Sequence, residues 1–208
     1  MRMNGSSGEY SYFWLYHLQY FTGLILCVAY VVFFLVPFSS ILGGDAAFTH
    51  FMTTAGEVPL LGWVEALFVG VPLIFHIAFG LMIMHGGQIN IFSYAYYKNW
   101  MYALERVTGL ILIPFALYHI YATKLAFMWS GRYLDAKVMH SILTPAWSKS
   151  LYIAGIVCAA FYFGNGMAGG LNAWGIAATR RSRTAAAIAG WVLTLVLAAW
   201  GLRIVSEF

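Results

Sequence analysis

Apolar residues along this chain fall in long blocks at about 13–36, 60–84, 101–126, 149–171 and 185–205, separated by shorter polar stretches. A bilayer hydrocarbon core about 30 Å thick takes roughly 20 helical residues to cross, and each block reaches that length. The blocks are hydrophobic on every face, which excludes the two-residue alternation of a membrane β-barrel. The pattern therefore predicts an all-α fold, an integral membrane bundle of five transmembrane helices, with 1–208 forming a single membrane domain and little besides loops outside it. Pro72 and Pro114 fall inside blocks and are expected to kink them, freeing carbonyls that a neighbour must satisfy. Gly166 and Gly170 form a GxxxG in "GNGMAGG" and, like Gly80 and Gly109, are read as close-packing positions. Neither an internal repeat nor a low-complexity tract is visible.

Composition strengthens this picture. Of 208 residues 62% are hydrophobic and 9% charged, against about 25% charged in ordinary soluble domains. The net charge of +4 matters mainly for orientation. One side of a five-helix bundle holds Arg2, Lys98 and the cluster Arg180, Arg181 and Arg183. The other holds Lys124, Arg132, Lys137, Lys149 and Arg203. The totals are close, and the compact "TRRSR" run tips the assignment toward a cytoplasmic N-terminus in the cell's cytoplasmic membrane. "MRMNGSSGEYSYF" lacks the compact apolar core and cleavage site of a signal peptide, so the first block is expected to stay. Cys27 and Cys158 lie inside blocks and read as small buried side chains. No CxxC or Cys/His cluster suggests zinc or an iron–sulfur cluster held by this chain.

Ionisable groups within a membrane span are costly, and each is a candidate functional site. Glu65, His76, Arg106 and His119 meet that description. His76 lies eight residues before the end of the second block and His119 eighteen residues into the third. At 1.5 Å per residue they sit about 12 Å and about 27 Å from the same membrane face, in different layers, so one metal does not join them. An imidazole there is either a ligand for haem iron or a hydrogen-bonding partner to a neighbouring helix. His17, His50, His85 and His140 fall at block ends or in loops. Tyr96, Tyr97, Trp100, Trp147 and Trp174 read chiefly as an interfacial belt.

The stretches "PLIFHIAFG" (72–80), "YYKNWMYALERVTGLI" (96–111), "YHIY" (118–121), "YIAGIVCAAFYFGNG" (152–166) and "WGI" (174–176), in that order and spacing, carry a resemblance. The chain resembles the single-chain, five-helix cytochrome b subunits of succinate dehydrogenases and fumarate reductases, which normally hold two haems. The resemblance implies four axial histidines, one on each of the first four helices, paired two with four and one with three. His76 and His119 match the positions on helices two and three. The other two positions hold Phe34 and Tyr162. Depth arithmetic puts Tyr162 level with His76 and Phe34 level with His119. Phenylalanine offers iron no donor, whereas tyrosine can bind it as phenolate. Two bis-histidine haems are thus not expected, and the choice between no haem b and one atypical haem at the His76 layer stays open.

The resemblance further implies a membrane anchor that reacts with quinone (menaquinone or ubiquinone). FAD and iron–sulfur clusters would reside in a flavoprotein and an iron–sulfur subunit docked on the cytoplasmic face. Dicarboxylate chemistry belongs to those partners; lipid and quinone are the other contacts expected, and nucleic acid is not. His76, Tyr162, Arg106 and His17 become candidates for a quinone site near that face. Glu65, towards the opposite end of the second block, is either a proton-handling group for an outer quinone or an interfacial carboxylate facing water. Glu105 and Arg106 are adjacent and do not share a helix face. Two other readings are a purely structural anchor and an unrelated transporter, though the inverted repeats of a transporter are not found.

Overall fold

The computed structural model describes residues 7–87, 89–127 and 132–208, with the backbone alone for 7–12; Arg2, which enters the charge argument, lies outside them. Five helical spans are long and apolar enough to cross a membrane: Phe13–Gly43, Leu61–Gly86, Tyr97–Leu125, Ala146–Ala173 and Arg180–Val205. No strand occurs among the described residues. The side on which the first span begins is called the near side here, and the opposite one the far side.

The first span comprises α1 (Ser7–Tyr30), a wider π turn over Val31–Leu35, the short α2 (Val36–Phe38) and a tight 3₁₀ turn over Ser39–Gly43. The second comprises α4 (Leu61–Glu65), a π turn over Ala66–Gly70 and α5 (Val71–Gly86). Both π turns end two residues before a proline. Val36 N–H reaches back to the Val31 carbonyl just before Pro37, and Val71 N–H to the Ala66 carbonyl just before Pro72. A proline ring collides with the carbonyl four residues back, and the widened turn accommodates it without breaking the span. Pro114 is instead carried inside the continuous α6 (Tyr97–Ile120), which runs on through a third π turn, Tyr121–Leu125.

Two further helices, in stretches that read as loops, close the far side. They are α3 (Asp45–Gly56) and α7 (Ala136–Leu143), the latter started by Asp135, whose carboxylate accepts from Val138 N–H at 2.7 Å. They pack on each other, and Ala136 N–H donates to Thr49 Oγ1 at 3.1 Å. Such pieces are too short to announce themselves by hydropathy. α8 (Ala146–Ala173) forms the centre, packed on α1, α6 and α9 (Arg180–Val205). It stops at Gly175, whose φ of +74° suits glycine. A capping box between Thr179 and Ser182 starts α9, so the fifth helix begins before the apolar block at 185 and takes in Arg180, Arg181 and Arg183.

Burial is uneven. The main hydrophobic cluster gathers Phe34, Leu35, Phe38, Phe48, Phe115, Met139, Tyr152 and Ile156 with the end of α9 in the far half. The closest helix approach is not at the GxxxG pair. A Cβ added to Gly164 would run into the Gly190 carbonyl, and one on Gly190 into the Gly164 carbonyl. Gly170 instead lies against the Tyr20 ring.

Because backbone meets backbone at that crossing, Gly164→Ala should destabilise the fold by about 1–3 kcal/mol. Gly62→Ala, where nothing lies within 4 Å of the added methyl, should not. Thermal unfolding in detergent compares the two directly.

Candidate functional site

Two tiers of polar side chains cross the bundle at different depths. In the near tier, His76 of α5 meets Tyr162 of α8, with Nε2 and the phenol oxygen 3.1 Å apart. His76 Nδ1 lies 3.0 Å from Thr22 Oγ1 on α1. The Thr22 hydroxyl donates to the Gln19 carbonyl at 3.0 Å, and Gln19 Nε2 donates to the His76 carbonyl at 3.1 Å. These bonds fix a direction. With the Thr22 proton used on Gln19, its oxygen accepts from His76 Nδ1–H, which leaves Nε2 to accept the Tyr162 hydroxyl proton. Glycines admit the two rings. A Cβ on Gly23 would come within 3.1 Å of the His76 ring, and one on Gly109 within 3.1 Å of the Tyr162 ring. Gln19 Oε1 is buried and receives no hydrogen bond.

In the far tier, His119 Nδ1 is 3.1 Å from the Tyr152 hydroxyl. The rest of the imidazole is enclosed by rings: Phe34 at 4.8 Å between centroids, Phe38 at 5.7 Å and Phe115 at 6.0 Å. Phe34 is also stacked between Tyr30 and Phe38, each at 5.0 Å.

The remaining sequence candidates are occupied elsewhere. Arg106 sends Nη1 to the carbonyls of Met84 and Gly87 at 3.1 and 3.2 Å and Nη2 to that of Ile83 at 3.2 Å. It also bonds the Tyr102 hydroxyl, and its guanidinium lies 4.1 Å over the Tyr102 ring. It thereby caps the last turn of α5, where unpaired carbonyls would otherwise face the membrane edge. Glu65 forms an ion pair with Lys124 of the third span at 2.8 Å. His17 bonds the Phe13 carbonyl through Nδ1 at 2.9 Å and packs on the Phe13 ring, away from the near tier. His140 lies between Asp45, at 3.0 Å, and the Phe208 carbonyl, at 3.3 Å, on the far side.

No family model matches the chain. It is 30% identical over 159 residues, 76% of this chain and 77% of the relative, to the succinate dehydrogenase cytochrome b558 subunit of Bacillus subtilis (strain 168). The chain belongs to the succinate dehydrogenase cytochrome b subunit family. It is a multi-pass membrane protein of that family, and its five spans fit a membrane-anchor subunit.

A cytochrome b subunit raises the question of whether these tiers suit a haem. A six-coordinate haem iron sits between its two axial donors. At the near tier the His76 and Tyr162 donors are joined to each other by a hydrogen bond, and at the far tier Phe34 supplies no donor while its ring touches His119. The donor set of this anchor subunit does not fit paired axial nitrogens in either tier.

Several polar partners escaped the sequence reading because it weighed ionisable groups alone. Gln19 and Thr22 stand one helical turn apart inside the first apolar block, a spacing that puts both on one face. Tyr152 was legible only as an aromatic residue, whereas Tyr162 stood out through the resemblance as the position facing His76. Glu105 was weighed only against its neighbour Arg106, whereas its Oε2 accepts from Asn165 Nδ2 at 2.8 Å.

Arg106→Leu in the anchor subunit should destabilise it by about 2–3 kcal/mol, the range for lost hydrogen bonds to a charged group. Arg106→Lys, which replaces a forked donor by a point charge, should recover only part. Chemical denaturation of the purified complex reads both.

Proposed function

We propose that this chain is the membrane anchor and quinone-reactive subunit of a succinate:quinone, or quinol:fumarate, oxidoreductase. In this reading a flavoprotein subunit interconverts succinate and fumarate. An iron–sulfur subunit passes electrons to the near face of the bundle, and quinone is reduced or quinol oxidised in the near half. The observation that carries it is the near tier: a hydrogen-bonded Tyr162–His76–Thr22 chain spanning three helices in an otherwise apolar bundle, with a buried amide oxygen on Gln19 still lacking a donor. A quinol offers two hydroxyl donors, which Gln19 Oε1 is free to accept, and a quinone two carbonyl acceptors, which the Tyr162 or Thr22 hydroxyl would serve by exchanging its present partner.

The closed far tier supports a near-side location, since neither of its facing positions provides a donor pair for a haem that would relay electrons outward. The exposed Arg180, Arg181 and Arg183 at the start of α9 support the near side as cytoplasmic and as the docking face for the soluble partners. In this scheme His76 and Tyr162 exchange protons with the quinone, Arg106 holds the adjoining rim in shape and His17 lies outside the reacting group. Glu65, matched by Lys124, belongs to the far side and would serve only a second site there. The relative's name carries a b-type cytochrome, but the haem content proposed for this chain is below two per anchor.

The second reading is an anchor that only holds the dehydrogenase while quinone binds on its partners, favoured by how fully Arg106 and Glu65 are engaged in structural contacts. Paired His76→Ala and Tyr162→Phe substitutions in the intact complex separate the two. The quinone-reactive reading expects succinate:quinone turnover to fall by about a hundredfold, with succinate oxidation by a soluble dye unchanged. The purely structural reading expects both activities intact.

The haem question has its own measurement. A reduced-minus-oxidised optical spectrum of the purified complex should show less than two equivalents of six-coordinate b haem per anchor. A full two equivalents would remove the donor-set argument.

A further inference from the structure

Glu105 is a carboxyl in the membrane with no role in the site as drawn so far. It lies eight residues into α6, about 12 Å along the helix from its near end. None of the ion pairs found among the described residues includes it: those join Lys124 with Glu65, His140 with Asp45 and Arg203 with Glu207. Its neighbour Arg106 is turned onto the end of α5. The hydrogen bond that holds Glu105 comes from the Asn165 amide, at 2.8 Å, a neutral donor that tolerates the carboxyl in either protonation state. Its second oxygen, Oε1, lies over Gly166, 3.8 Å from where a Cβ would stand.

The surroundings give it a direction. Glu105 stands one turn before Gly109 on α6, and Gly109 lies against the Tyr162 ring, where a Cβ would come within 3.1 Å of it; Tyr162 is the residue bonded to His76. Asn165 and Glu105 stand about one turn nearer the membrane face than Tyr162 and His76, so the polar side chains step inwards from the rim. Tyr20 borders the same space, its ring 3.3 Å from where a Cβ on Gly169 would lie. Carboxyl, phenol and imidazole in that order are groups able to accept and release protons. A membrane carboxyl facing such groups, with no ion-pair partner found among the described residues, has the arrangement of a proton relay.

We propose that Glu105 is the proton-transfer group between the near-side aqueous phase and the Tyr162–His76 pair, a proposal that rests on quinone reacting in the near half. Quinone takes two electrons from the iron–sulfur partner and two protons to become quinol. For each proton, the Glu105 carboxylic acid releases one inward through Tyr162, and the carboxylate takes one up from water, returning to its starting state. Quinol oxidation runs the same steps outward.

The test uses the intact complex. Glu105→Gln keeps the size and a partner for Asn165 but carries no exchangeable acid. Quinone turnover should drop by about tenfold to a hundredfold with the KM for quinone within about twofold, while dye-linked succinate oxidation stays at the wild-type rate. Glu105→Asp should retain more turnover than Glu105→Gln, and a small diffusible acid such as formate should restore part of the Gln variant's rate. Wild-type quinone turnover in Glu105→Gln, with His76→Ala and Tyr162→Phe impaired, overturns the relay and leaves the quinone site standing. Wild-type turnover in all three overturns the near-side site as well. If Glu105→Gln does not assemble, Asn165→Leu decides, since loss of the amide should lower kcat several-fold and an unchanged kcat overturns the relay.

Discussion

An imidazole inside a bilayer has no water to turn to, and both of its nitrogens need partners from the protein. His76 obtains them from two different helices, Thr22 on α1 and Tyr162 on α8, while its own backbone carbonyl accepts from Gln19. Three of the five spans are therefore held at one depth by one residue. Lipid tails are as apolar as leucine, so helices in a membrane gain little from hydrophobic burial against each other. A polar contact that cannot be exchanged for water then does more to set register than a Leu–Leu contact would. Gly23 and Gly109 complete the arrangement by letting both rings reach the bundle axis.

The two halves of the bundle solve different problems. The far half is packed, with an aromatic column from Tyr30 through Phe34 and Phe38 to Phe48 and Phe208. The helices α3 and α7 cover it. The near half is looser and more polar, and contains Gln19, Thr22, His76, Glu105, Tyr162 and Asn165. Interdigitated rings give rigidity, whereas hydrogen-bonding groups with spare capacity give a place for a ligand with oxygens. The position held by Phe34 is where this division is sharpest: its ring supplies packing at a level where its relatives' resemblance implies a ligand.

The spans were legible because all-round hydrophobicity over twenty residues has few other meanings, and the tiers were legible because rise per residue converts sequence position into depth. The pairing of His76 with Tyr162 and of His119 with Phe34 came from the resemblance, and that arithmetic agreed with it. Other features depended on contacts that no local pattern encodes. The Gly164–Gly190 crossing pairs residues on separate helices, and the GxxxG spacing pointed to its neighbours instead. Arg106 looked free because its acceptors are carbonyls, which every residue possesses and no sequence displays. Glu105 was hidden by its place at the end of an apolar block, where a carboxylate passes for a rim residue until Asn165 is found beside it.

The aromatic column of the far half has an electrical consequence. It separates the near tier from the opposite aqueous phase by packed aromatic rings. If electrons and protons both reach the quinone from the near side, a turnover moves no net charge through the dielectric. A membrane potential acts with about 2.3 kcal/mol per elementary charge per 100 mV, but only on charge that traverses it. Such a complex would neither generate voltage nor be slowed by it, and its direction would follow the redox poise of the quinone pool and dicarboxylates alone.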